Sequence, residues 1–297
     1  MKLNLQSGHR GVCCFILFAL IIAMFAIVED LERKASFKDE NEADVIRQKL
    51  ERLVNNILAE VEKRDKRFQN SLILSGSVYE GVKVHQPDEF DFMVRINSLT
   101  NKPIFYPCDK GEGYVKLALE EDEWREFKDK QGFFSPKRLC QHFKKLVNES
   151  LSDAEIPEGL SIKRAAPDLL EGPWGPVYSK VLGNSSSQDN PSDLMYSEVH
   201  GPATTLYITW EDGNTYQNLL ISVDLTLALE YVKSKLPVQL SKLPQSIDDF
   251  LQRSGFHVVP AGFDIWRISF SMAEKEILCF SPEIGRASCR ERVYVLV

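Results

Sequence analysis

Residues 219–229 read LLISVDLTLAL, an almost wholly apolar strand interrupted by one carboxylate, Asp224. A run this apolar reads as a buried strand. A lone acid inside it is costly unless something compensates its charge. The chain therefore has to bring a cation or another partner to Asp224, and the rest of the sequence indicates which.

Two further acids, Glu89 and Asp91, stand two apart in EFDFMVRI, residues 89–96, where the alternation marks a strand. Side chains at i and i+2 leave the same face of a strand. Side by side they repel, and the pair is tolerable when solvated or when a divalent cation lies between them. Magnesium prefers carboxylate oxygens and keeps water and substrate phosphate as its other ligands. Upstream, a short apolar strand at residues 71–74 runs into Ser75-Gly76-Ser77 and then a helical turn. The backbone N–H groups of such a turn, with the Ser77 hydroxyl, suit phosphate oxygens, although plain Gly-Ser turns are common. If the strand of Asp224 neighbours that of Glu89 and Asp91, three acids converge. That is the ligand set of a two-metal site, one ion activating an attacking hydroxyl and the other holding a triphosphate and its leaving group. A surface acid pair with an unrelated aspartate salt-bridged to a lysine is the competing reading.

Around these strands the pattern predicts a polar linker at residues 35–41 and an amphipathic helix at 43–68, with Ile46, Leu50, Leu53, Val54, Ile57, Leu58 and Val61 on one face. A strand is expected at 114–119. A helix is expected at 135–151, opened by Ser135 and Pro136. Residues 167–193 read as a long loop. Strands at 204–210 and 219–229 are joined across Glu211-Asp212-Gly213-Asn214, and 247–253 reads as a helix. Interleaved strands, helices and hairpins predict a mixed α/β sheet rather than a strictly parallel one.

The formal net charge of −7 argues against a chain that is basic overall, as nucleic-acid binders usually are. Lys137, Arg138, Lys144 and Lys145, with Lys163 and Arg164, could contribute to a local basic surface, and also fit a solvated face. The six cysteines form no CxxC pair, so they read as unlinked thiols in a reducing compartment, and no zinc site is visible.

Both ends stand apart. Residues 11–28, GVCCFILFALIIAMFAIV, are uncharged and just long enough to span a bilayer, so residues 1–34 read as a membrane anchor or a signal segment, with the anchor favoured. From Glu283 the chain reads EIGRASCRERVYVLV, which looks like the conceptual translation of a sequencing-library adapter. Residues 283–297 are therefore expected to be an artefact, with the genuine C-terminal part missing.

The segment GSVYEGVKVHQPDEFDFMV resembles the nucleotidyltransferase signature of cyclic GMP-AMP synthase and the Mab-21 family, in which a Gly-Ser turn precedes a Glu-x-Asp strand. ISVDLTLALE resembles that family's third-acid strand, WRISFSMAEKEIL its entry into a second lobe, and GPATTLYITW also fits. The resemblance implies an α/β fold: a mixed-sheet nucleotidyltransferase core over residues 35–282, with a long N-terminal helix and an incomplete C-terminal helical lobe. It implies Glu89, Asp91 and Asp224 as catalytic ligands of Mg2+ or Mn2+, and Gly76, Ser77, Arg267 and Glu274 as nucleotide contacts. ATP and GTP would be substrates, joined into a cyclic dinucleotide in innate immune sensing, with double-stranded RNA or DNA as activator. The need for cytosolic triphosphates places the catalytic domain in the cytosol, anchored at the membrane through residues 11–28 or, alternatively, simply cytoplasmic. This truncated chain would itself be inactive. Two departures stand out: Ala261 follows Pro260 where cyclic GMP-AMP synthase has a lysine, and no zinc-thumb cluster is present. A catalytically inactive Mab-21-like binding or scaffold protein is the alternative function.

Overall fold

In a computed structural model the described residues are 37–79, 83, 86–111, 113–163, 202–232, 255–262 and 264–273. The readings at 1–34, 167–193, 247–253 and 283–297 lie outside them. Among the described residues no helix is long and apolar enough to cross a membrane.

Helix α1 spans Glu40–Arg64 and buries Ile46, Leu50, Leu53, Val54, Ile57, Leu58 and Val61, the stripe expected from its spacing. It begins inside the segment expected to be a linker. Asp39 caps it by accepting from the Glu42 N–H, and Glu40 and Glu42 complement the positive end of the helix. Glu42 is also anchored across the fold, accepting from Trp210 Nε1 at 2.9 Å and from the backbone N–H groups of Thr215 and Tyr216. The polar character of this segment thus reflects capping, which a reading of composition takes for a linker.

The helix also stops short of Phe68. Asp65 leaves helical backbone geometry and caps a short 3-10 turn, Lys66–Phe68. Its carboxylate accepts from Arg67 Nε at 3.0 Å and Arg67 Nη2 at 2.7 Å, and lies 3.0 Å from His142 Nε2. Burial alone would raise the Asp65 pKa; the hydrogen bonds from Arg67 and His142 and the Arg67 charge outweigh it and hold the group at about 2. His142 belongs to the helix Pro136–Ser150, so this junction ties the end of α1 to that helix. Replacing Asp65 with Ala should destabilise the fold by about 2 kcal/mol at neutral pH, the usual cost of losing hydrogen bonds to a charged group. Because the folded pKa is depressed, the gap between Asp65→Ala and wild type in urea titrations should be full above pH 3.8 and close as pH falls toward 2.

The sheet has nine strands among the described residues. They are β1 (Asn70–Ser75), β2 (Glu89–Ile96), β3 (Ile104–Pro107), β4 (Tyr114–Ala118), β5 (Leu160–Lys163), β6 (Thr204–Trp210), β7 (Leu219–Tyr231), β8 (Phe256–Pro260) and β9 (Trp266–Ser269). A one-turn helix, α2 (Gly76–Tyr79), follows β1, and α3 (Pro136–Ser150) follows β4. The order is β1-β2-β7-β8-β9-β4-β3, with β5 joined to β6 and β6 to β7. Only β2 and β7 pair in parallel; the other pairs are antiparallel. The sheet is mixed, as the interleaved pattern predicts. Strands β3, β5, β8 and β9, each of four or five residues, went unmarked in the residue pattern.

Strand β7 organises the molecule. Ile221, Val223, Leu225, Leu227, Leu229 and Tyr231 are buried in the main core with Phe90, Phe92, Val94, α1 and α3. The intervening Ser222, Asp224, Thr226 and Glu230 are half-buried on the opposite face. Asp224 is therefore not sealed in a strand buried on both sides. The strand alternates, and the aspartate leaves from the face that the two helices do not cover. A small second cluster, Met93, Ala228 and Val259 with Ile73 beside it, lies on that face.

Candidate functional site

Pairing places the acids side by side. In the parallel β2–β7 ladder Asp91 stands directly opposite Asp224, and Glu89 opposite Ser222. Adjacent strands are about 4.8 Å apart, and directly paired residues share a face. Two carboxylates are thus fixed as neighbours by backbone hydrogen bonding, before any side-chain contact is considered. On the far side of β2, Ser75 pairs with Asp91, and on the far side of β7, Thr205 pairs with Asp224. Ser75, Asp91, Asp224 and Thr205 form one polar row across four strands.

The turn closes onto this row. Gly76 adopts φ +81°, a left-handed conformation that other residues rarely take. Its backbone is packed on the Asp91 carboxylate: a Cβ at this position would overlap Asp91 Oδ2 and lie 2.9 Å from Asp91 Cγ. Gly76 is needed here for both its dihedral and its lack of a side chain. Ser77 follows in the first turn of α2.

Thr205 Oγ1 donates to Asp224 Oδ1 at 2.5 Å. The sequence reading did not single out this residue. Its signal was the alternation of Thr205, Tyr207 and Thr209 with Leu206, Ile208 and Trp210 in GPATTLYITW. The bond restrains one of the two Asp224 oxygens. Thr205→Val should lower stability by about 1.5 kcal/mol, since a hydrogen bond to a charged group is lost without a change of shape; urea unfolding at neutral pH measures it.

Glu89 shares the face of Asp91 but its carboxylate is engaged elsewhere. Lys83 Nζ lies 3.2 Å from Glu89 Oε2 and 2.9 Å from Asp88 Oδ1. Burial would lower the Lys83 pKa, yet the hydrogen bond and charge of Asp88 and the charge of Glu89 raise it, so the ammonium form is favoured. Asp88 is lowered in turn: burial opposes its ionised form, and the hydrogen bonds from Lys83 and Gln86 prevail. Among the described residues no three His, Cys, Asp or Glu side chains stand close enough to share one ion. The structure therefore brings Asp91 and Asp224 together, with Glu89 on the same face and paired to Lys83. The oxygen donors in this row suit a hard divalent cation, and the backbone of the Gly76 turn lies against the same carboxylate.

Arg267 lies on β9, paired with Val259 of β8 and Tyr114 of β4, and is exposed. Since Val259 clusters with Met93 and Ala228, Arg267 falls on the same side of the sheet as the acids, two strands beyond β7. Glu274 lies outside the described residues. Of the basic group, Lys137, Arg138 and Lys145 are exposed on α3, Lys163 is exposed at the end of β5, and Arg164 is not described. Arg138 donates to the Glu126 carbonyl oxygen at 3.1 Å.

The Mab-21 protein nucleotidyltransferase domain matches residues 78–279, more than half of the sequence. The chain belongs to the Mab-21 nucleotidyltransferase family. Its relatives include pig (Sus scrofa) cyclic GMP-AMP synthase, 28% identical over 76% of this chain and 40% of the relative. A cyclic GMP-AMP synthase-like receptor of Aethina tumida is 22% identical over 77% of this chain and 54% of the relative. A mab-21-like protein of Drosophila melanogaster is 30% identical over 33% of this chain and 28% of the relative. This Mab-21 family chain thus spans about half, or less, of the length of these relatives.

Proposed function

We propose that this Mab-21 family chain carries a magnesium- or manganese-dependent nucleotidyltransferase site that joins ATP and GTP into a cyclic dinucleotide in innate immune sensing. The observation that carries the reading is the polar row: Asp91 and Asp224 in register on adjacent parallel strands, with the Gly76 turn seated on Asp91. A divalent cation shared between two neighbouring carboxylates favours their charged forms. A bound divalent ion would polarise the phosphoryl oxygens and lower the pKa of an attacking hydroxyl. The protein's part is positional. Asp91 and Asp224 supply the anionic ligands, and Thr205 restrains one oxygen of Asp224. Glu89 adds a third carboxylate on the same face. The backbone and hydroxyl of the Gly76-Ser77 turn approach phosphate oxygens. Arg267, on the same side of the sheet, and Glu274 are the proposed nucleobase contacts, and the exposed cations of α3 are the proposed surface for a double-stranded RNA or DNA activator.

The engaged state of Glu89 and the similarity to mab-21-like proteins support a second reading, a binding or scaffold protein that makes no product. Labelled ATP and GTP, incubated with magnesium and double-stranded RNA or DNA, separate the two. A dinucleotide product that disappears in Asp224→Asn supports the enzyme. Absence of product with every activator, using a protein extended to the full length of its relatives, supports the scaffold.

A further inference from the structure

The ion pair of Lys83 stands at the start of the acid strand, where its partner Glu89 lies two residues before Asp91. The Lys83 side chain is only 16% exposed, whereas that of Glu89 is 47% exposed. The backbone N–H of Lys83 donates to the Ser77 carbonyl oxygen at 2.9 Å, and its ammonium reaches both Asp88 and Glu89. One residue thus links the end of the Gly-Ser turn to the start of the acid strand. Glu89 faces the same side as Asp91, yet its cation is an internal ammonium.

We propose that Lys83 is a resident counter-ion that sets the metal affinity of the site, with Glu89 exchanging its ammonium partner for the divalent ion when metal binds. This rests on the reading of the acids as metal ligands. The exchange does not strand a buried charge, because Asp88, at 2.9 Å, keeps the Lys83 ammonium paired after Glu89 leaves. The three carboxylates do not stand together while Lys83 holds Glu89, so the exchange turns Glu89 toward Asp91 and Asp224 to complete the site. The consequence is a site that holds bare metal weakly and fills when the ion arrives with additional anionic ligands, such as a triphosphate.

The test is Mn2+ binding to the full chain without nucleotide, followed by electron paramagnetic resonance of the free ion. Lys83→Met should bind Mn2+ roughly three- to tenfold more tightly than wild type, the scale expected for removing one partly exposed competing pair. Lys83→Arg should restore the wild-type affinity, and the gain should vanish when Glu89→Gln is added to Lys83→Met. A merely structural lysine would give the opposite sign, since disordering the turn weakens binding. Equal or weaker binding in Lys83→Met, with wild-type binding still dependent on Asp224, overturns the counter-ion role and leaves the metal site standing. Binding that never depends on Asp224 removes the metal reading and this inference with it. Should Lys83→Met fail to fold, acylation of Lys83 in the unaltered chain decides. Labelling should rise on addition of Mn2+, and unchanged labelling overturns the exchange.

Discussion

Gly76→Ala should cost both stability and activity. The φ of +81° is about 1–2 kcal/mol unfavourable for a residue with a side chain. The added methyl meets Asp91 Oδ2, held on a strand that is paired on both sides, so the acid cannot withdraw freely. Either the turn lifts away from the acid row or Asp91 rotates out of line. Both separate the turn proposed to hold phosphate from the carboxylates, and a misplacement of about 1 Å can cost a hundredfold in rate. The expected result is about 2 kcal/mol or more of lost stability in urea titrations, with product formation, in a protein extended to the full length of its relatives, down by roughly a hundredfold or more. Wild-type activity in Gly76→Ala would mean that the turn takes no part in holding substrate.

Asp224→Asn should separate stability from activity. Asp224 and Asp91 are neighbours of like charge, and only one oxygen of Asp224 has the Thr205 hydroxyl at 2.5 Å. Replacing the carboxylate with an amide removes the repulsion and retains a carbonyl oxygen that accepts from Thr205. Stability should therefore be unchanged or higher, as is common where a site holds residues that the fold alone would not choose. If Asp224 is a metal ligand, as proposed, activity should fall about a thousandfold, because several kcal/mol of charge stabilisation is lost with it, each 1.36 kcal/mol being a decade in rate. Thermal unfolding and turnover, measured on the same preparation of a protein extended to the full length of its relatives, test the pair of effects together. A variant that loses stability in step with activity would mark Asp224 as a structural residue.

Much of this arrangement was legible in the residues. The helical stripe from Ile46 to Val61 and the strands at 89–96 and 204–210 follow from periodicity alone, because each is long enough for one face to repeat. The stop of α1 at Arg64 was not legible, since it depends on Arg67 and on His142, a residue from another helix. The alternation of β7 was present in the sequence but masked by Leu219, Leu220 and Ala228, which made a one-sided strand look apolar throughout. The in-register pairing of Asp91 with Asp224 could be conjectured from sequence but not fixed, because a one-residue slip would turn one acid to the opposite face. Alternation put Thr205 on the polar face of its strand, but its partner lies across a strand pair, and that of Lys83 across a turn, which local pattern does not give.

The most direct measurement is magnesium-dependent binding of a non-hydrolysable ATP analogue to the full chain, by calorimetry, in wild type and in Asp91→Asn and Asp224→Asn. Binding that requires magnesium in wild type and is lost in both variants is the expected result. Binding of equal strength without magnesium, or retained when both acids are replaced, would contradict a nucleotide site built on the Asp91–Asp224 pair.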